Sequence, residues 1–125
     1  TFGGNPLAMA AARVVLEVLS EDGFLGDVRA RAVHLDQALM SLQEHFPAAI
    51  TECRGRGFLR GIRLDETIDL AAFVKTLRDD HLLCVPSAEN TLRILPPLTI
   101  SKDEIDLAVA KIARVLNDIP KHDNQ

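Results

Sequence analysis

Between positions 25 and 46 apolar residues return in steps of three and four: Leu25, Val28, Ala32, Leu35, Leu39, Leu42 and Phe46. That spacing draws one apolar stripe along a helix, which Pro47 closes. A shorter stripe runs over residues 69–81, with Leu70, Phe73, Val74 and Leu77 facing inward. Another follows Ser101, through Ile105, Val109, Ile112 and Leu116. Ser101 and Glu104 have the spacing of a capping box, and Ile100 can staple onto Ile105. The first helix is different. It starts at about Asn5, a good cap followed by Pro6. From residue 7 to 19 it is apolar nearly all round, with Arg13 and Glu17 its only charges. Such a helix needs cover on several sides, more than the remaining chain can supply.

Elsewhere the period is two. Residues 50–54 and 58–64 read as strands joined by Gly55-Arg56-Gly57. Phe58, Arg60, Ile62 and Leu64 share one face of the second strand; Leu59, Gly61 and Arg63 share the other. Gly61 predicts the close approach of another backbone or a ring. Residues 82–85 read as a short buried strand, 86–90 as a polar loop and 91–95 as a last strand. The order is helix, helix, strand, strand, helix, strand, strand, helix. It predicts an α+β fold, a small, mostly antiparallel sheet with helices packed on one face. The other face is left for a further domain or subunit. Residues 121–125 are expected to fray.

The chain has 125 residues, 47% hydrophobic and 26% charged, which suits one globular domain with a real core. A net charge of -4 argues against a nucleic-acid or anionic-membrane surface. Arg54, Arg56, Arg60 and Arg63 form a basic patch without stacking aromatics, which favours salt bridges to a partner domain over nucleic acid. Cys53 and Cys84 lack metal-ligand spacing and read as reduced core residues, consistent with a cytoplasmic compartment. His34 and His45 fall off the apolar stripe, among solvated charges. No secretory leader and no run long enough to span a bilayer is evident. The chain opens without Met at Thr1-Phe2-Gly3-Gly4, which predicts a segment of a longer polypeptide.

Two places carry candidate chemistry. On the last strand, alternation puts Leu92 and Ile94 on one face and Thr91, Arg93 and Leu95 on the other. Pro96 and Pro97 end the strand just past Arg93 and stiffen the backbone there. A guanidinium mounted this way can grip a carboxylate or phosphate through two parallel hydrogen bonds, or it can pair with a neighbouring acid of its own chain. Both readings stand on the strand alone. The second place is the start of the first helix, where free backbone N–H groups gather beside the Thr1 hydroxyl and two glycines. This is a possible phosphate cradle, although many such helix starts bind nothing.

Three separated blocks, in order, carry a resemblance. They are Thr1-Phe2-Gly3-Gly4-Asn5-Pro6-Leu7-Ala8; Arg54-Gly55-Arg56-Gly57 with Leu59-Arg60-Gly61-Ile62; and Leu92-Arg93-Ile94-Leu95-Pro96-Pro97-Leu98 followed by Asp103-Glu104-Ile105-Asp106. Together they resemble the C-terminal third of class III pyridoxal-phosphate aminotransferases, over essentially the whole chain. The nearest branch is the one acting on acylated ornithines or diaminopimelate in arginine or lysine biosynthesis, with 2-oxoglutarate as amino acceptor.

The resemblance implies the small domain of a fold-type I enzyme and a homodimer. Residues 1–19 would be a cofactor loop and interdomain helix, and residues 20–120 the small domain. It implies that Thr1 binds the phosphate of pyridoxal phosphate from the neighbouring subunit, and that Arg93 holds the substrate α-carboxylate. The lysine that holds the cofactor covalently lies upstream in the family, and Lys75, Lys102, Lys111 and Lys121 stand in no matching context. The chain alone is therefore expected to carry no catalytic residue, to retain little cofactor and to be inactive. Met9 and Arg63 depart from the family's usual text and touch no assigned role. The reading of another class is a free-standing α+β module that binds a small anion or a partner protein without catalysis.

Overall fold

The computed structural model describes residues 1–119; the predicted frayed tail lies outside the described residues. The chain runs α1 (Pro6–Leu19), α2 (Phe24–His45), β1 (Ile50–Arg56), β2 (Leu59–Leu64), α3 (Leu70–Asp79), β3 (Val85–Ser87), β4 (Thr91–Ile94) and α4 (Lys102–Asn117). The four strands form one antiparallel sheet in the order β1-β2-β4-β3.

A single core joins the three later helices to one face of this sheet. Leu35, Leu39 and Leu42 from α2, Phe73 and Leu77 from α3, and Ile105, Ile112 and Leu116 from α4 meet Ile50, Ile62, Leu64 and Leu92 of the sheet. The middle of each helix stripe read from the sequence is buried, with Val115 added on α4, whereas Leu25 at the start of the α2 stripe is exposed and Val28, Phe46, Leu70, Val74 and Val109 are only partly buried. Local chemistry sets the helix starts. The Asn5 Oδ1 accepts from the N–H groups of Leu7 and Ala8, and the Asp69 Oδ1 from those of Ala71 and Ala72. Ser101 and Glu104 exchange both bonds of the capping box.

α1 stands apart. None of its residues is buried, and Leu7, Val14, Val15 and Leu16 are exposed, as its nearly uniform apolar surface predicts.

Three expectations need correction. The third strand begins at Val85 rather than residue 82, and all three of its residues are exposed. It is an edge strand, where Pro86 costs no ladder bond. Leu82 and Cys84 instead pack on the core from the preceding loop. His34 is tied to the fold, its Nε2 lying 2.6 Å from Asp106 Oδ1, which joins α2 to α4. The basic patch is partly spent within the chain. The Arg60 guanidinium is 2.6 Å from Asp36 on α2 and donates to the carbonyls of Gly57 and Gly55. The connection that receives it needs Gly55, at φ +128, where a Cβ would lie 2.1 Å from the Leu59 carbonyl oxygen. Both cysteines are free, and burial pushes each thiol up to about 11. No helix among the described residues is long and apolar enough to cross a membrane.

Candidate functional site

The helix-free face of the sheet is built by register. Glu52, Arg63, Thr91 and Ser87 form one row across the four strands; Arg54, Gly61, Arg93 and Val85 form the next. Directly opposed residues point to the same side of a sheet, so Arg54 and Arg93 flank Gly61. An open groove of about 300 Å³ lies there, lined among others by Arg54, Leu59, Gly61, Ser87, Thr91 and Arg93.

Gly61 gives the groove its floor. A Cβ at this position would come 2.9 Å from Thr91 Cγ2, which would have to shift, and 3.7 Å from Arg54 Cγ, an ordinary contact. The close approach predicted here is therefore made by two side chains, not by a backbone or a ring. Arg54 lies beside Gly61 and is engaged through both of its terminal nitrogens. Its Nη2 donates to Glu89 Oε2 at 2.9 Å and to Thr91 Oγ1 at 3.4 Å, and its Nη1 to Glu52 Oε2 at 3.4 Å. The Arg54 guanidinium holds the Glu89 carboxyl below its ordinary value. Thr91 is buried even though it faces outward, because Arg54 covers it.

Arg93 is exposed, and among the described residues its side chain makes no hydrogen bond and no ion pair. The nearby acids are taken by Arg54. An exposed guanidinium at the mouth of a groove, with no acid of its own, can accept an external carboxylate or phosphate.

At the other end of the chain, Thr1 is exposed and lies outside this groove. The cradle read from the sequence is smaller than expected. Asn5 occupies the N–H groups of Leu7 and Ala8, and its carbonyl takes that of Met9. The remaining donors are the Thr1 hydroxyl and the N–H groups of Phe2, Gly3 and Gly4, which make no bond among the described residues. A Cβ on Gly3 or Gly4 would meet nothing within 4 Å, so the loop admits a tetrahedral oxyanion, and its donor set suits one. Thr1 and Arg93 do not share a site within this chain.

A second cavity, of about 330 Å³, opens between α2, α4 and Pro96 and Pro97. Its lining is apolar except for Glu104, whose carboxylate is spent on the Ser101 N–H. It offers an anionic substrate nothing to bind. Lys75 pairs with Asp79 on α3, Lys111 donates to the Asp80 carbonyl from α4, and Lys102 begins α4. All three stand on helices that cover the opposite face of the sheet.

The aminotransferase class-III profile matches residues 1–116. The chain belongs to the class III aminotransferases. Acetylornithine aminotransferase of Mesorhizobium japonicum is 43% identical over 115 residues, covering 90% of this chain and 28% of that protein. The Listeria innocua protein of the same name is 44% identical over 118 residues, 93% of this chain and 29% of its own length. Among solved structures, lysine aminotransferase from M. tuberculosis superposes with a TM-score of 0.82 at 32% identity, over 87% of this chain and 25% of that one. The chain thus spans less than a third of the length of the class III relatives it matches.

The sequence marked out Arg93 and Thr1. It placed Arg54 only in a basic patch and Thr91 only on the face of Arg93, and did not mark out Glu89; their meeting depends on which strands pair. The signal available was the shared alternation of Arg54, Gly61 and Arg93, legible only once β2 is set between β1 and β4.

Proposed function

We propose that this chain is the substrate-gripping part of a pyridoxal-phosphate-dependent aminotransferase. The enzyme moves an amino group from N-acetylornithine, or a related acylated ornithine or diaminopimelate, to 2-oxoglutarate. The observation that carries the reading is the exposed, unpaired Arg93 on the open face of the sheet, in a chain of aminotransferase family. Residues 1–19 serve as cofactor loop and interdomain helix, and residues 20–120 as the small domain. The exposed apolar surface of α1 then packs on the cofactor domain of a cytoplasmic homodimer.

Bound pyridoxal phosphate would supply the electron sink that lets the donor carbon bearing the free amino group, Cδ in an Nα-acylated ornithine, release its proton. The chain's own residues bind and orient. Arg93 takes one carboxylate of amino donor and oxo acid in turn through two parallel N–H donors, and so orients the reacting carbon. The Thr1 hydroxyl donates to a cofactor phosphate oxygen in the neighbouring subunit, with the loop of Phe2, Gly3 and Gly4 around it. The described lysines, on the helix-covered side, have no part in the proton transfer. These 125 residues alone are therefore expected not to transaminate.

The test is Arg93→Ala and Arg93→Lys in the full-length product of the gene, following each half-reaction in single turnover. Loss of a charged, hydrogen-bonded anchor predicts a fall in kcat/KM of about 10- to 100-fold in both half-reactions. Arg93→Lys recovers only part of it, since an ammonium lacks the planar fork. Normal rate and affinity in both half-reactions would refute the carboxylate role.

A further inference from the structure

The apolar pattern alone does not fix where Arg93 stands along the sheet. Leu92 and Ile94 both pack on the core from one side of β4, so alternation decides which face Arg93 takes. It tolerates a slip of two residues that sets Ile94 in the place of Leu92, because every side chain then keeps its face. Such a slip would carry Arg93 about 7 Å along the strand. Ladder hydrogen bonds form in either register, and β3 adds little: its three residues are exposed and Pro86 has no N–H.

The side chain that does distinguish the registers is Asn90, three residues before Arg93. It closes the turn between β3 and β4 at φ +48, directly after Glu89 at +56. Backbone held in that region persists only where its surroundings enforce it. Here the Asn90 Nδ2 donates to the Asp65 carbonyl at 2.8 Å and to the Ile68 carbonyl at 3.0 Å. The Asn90 carbonyl in turn accepts from the Leu64 N–H at 2.9 Å. The loop that receives these bonds is itself fixed. The Asp65 carboxylate accepts from the Thr67 N–H and hydroxyl, the Asp65 N–H donates to the Ala49 carbonyl, and Ile68 is buried. Asparagine combines ready access to the left-handed region with two amide hydrogens. Aspartate shares the first and lacks the second; alanine lacks both.

We propose that Asn90 is a positioning residue for the transamination: by pinning the start of β4 to the loop after β2, it sets the register that brings Arg93 opposite Gly61 at the groove. The inference rests on the carboxylate reading of Arg93 given above. The Arg93 side chain bonds nothing among the described residues, so its reach toward substrate is set by its backbone. Asn90 holds that backbone before Arg93, and Pro96 and Pro97 stiffen it after.

The experiment measures kcat and KM for amino donor and oxo acid in the full-length product carrying Asn90→Gly, Arg93→Ala or both. Asn90→Gly keeps the left-handed backbone and removes the two side-chain bonds. It is expected to raise KM for both substrates about five- to tenfold, with kcat within about threefold. In the Arg93→Ala background the same change is expected to alter kcat/KM by less than about twofold, because the group it positions is gone. An asparagine that merely supports the fold gives another pattern: less active enzyme, read as a lower kcat at unchanged KM, by the same factor in both backgrounds. An unchanged KM in Asn90→Gly, or an effect that persists in full without Arg93, overturns the proposal. If Arg93→Ala itself leaves KM unchanged, the carboxylate role fails and the positioning role with it; if it raises KM while Asn90→Gly does not, the carboxylate role stands and the positioning role alone falls. Should Asn90→Gly not fold, Asn90→Asp replaces it, of the same shape without the two donors. The same rise in KM, lost in the Arg93→Ala background, is expected of it, and either an absent rise or one that persists without Arg93 overturns the proposal equally.

Discussion

Arg60 and Arg93 sit on neighbouring strands, one step out of register, and point to opposite faces of the same sheet. Arg60 lies on the helix side with its side chain only 13% exposed, bound to Asp36 and to two backbone carbonyls. Arg93 lies on the open side, bound to nothing among the described residues. The contrast shows that residue type did not decide the role. Placement did: a guanidinium facing a helix finds an acid and becomes part of the fold, whereas one facing an uncovered sheet stays available when its neighbours' acids are already taken.

The comparison predicts opposite mutational signatures, to be read by urea unfolding of this chain. Arg60→Ala removes a half-buried ion pair and leaves Asp36 uncompensated. Because Asp36 is still 44% exposed, the expected loss is about 2 kcal/mol rather than the larger value of a fully buried pair. Arg93→Ala is expected to stay within about 0.5 kcal/mol of the parent. If the two variants lost equal stability, the division into a structural and a free arginine would be wrong.

Gly61→Val sharpens the open side of the contrast. Its Cβ would press on Thr91, and the two methyl groups beyond it would reach into the space of the Arg54 stem, so a loss of about 1–2 kcal/mol is expected, with Arg54 displaced from Glu89. Chemical-shift changes confined to position 61 and its chain neighbours, with Glu89 unmoved, would contradict that. Ser101→Ala, far from either face, removes one capping bond and should cost about 1 kcal/mol.

The smallest effect is in pH. Arg54 holds Glu89, and the backbone N–H and hydroxyl of Ser101 hold Glu104, each below the ordinary value of 4.5. A folded-state pKa below the unfolded one gives stability that is present above the unfolded value and is lost as pH falls through the folded one. The urea midpoint should therefore be flat above pH 4.5 for these groups and decline below it. In Glu89→Gln that decline should be shallower.

The helices were legible in the sequence because their causes are local. Asn5 with Pro6, Asp69, and Ser101 with Glu104 each specify a start within four residues, and the stripe on α2 names its own buried face. The sheet was less legible. Leu82, Leu83 and Cys84 look like a strand, yet strand identity here depends on pairing with β4, and the residues that pair are Val85, Pro86 and Ser87. Arg93 could be singled out because the prolines that follow it end the strand locally. The pairing of Arg54 with Glu89 spans 35 positions and a left-handed turn, neither of which any periodicity announces. At the first helix the sequence reading counted N–H groups as free although it also named Asn5 as the cap, and the Asn5 side chain does take two of them.

The most direct measurement of the central claim is a cycle that removes either half of one contact. Parent and Arg93→Ala forms of the full-length product are each assayed in the amino-donor half-reaction with the natural donor and with its α-carboxamide analogue. If Arg93 grips the α-carboxylate, the analogue is much slower in the parent and loses little further rate when Arg93 is also removed. Penalties that multiply in full, as though the two changes were independent, would contradict the account.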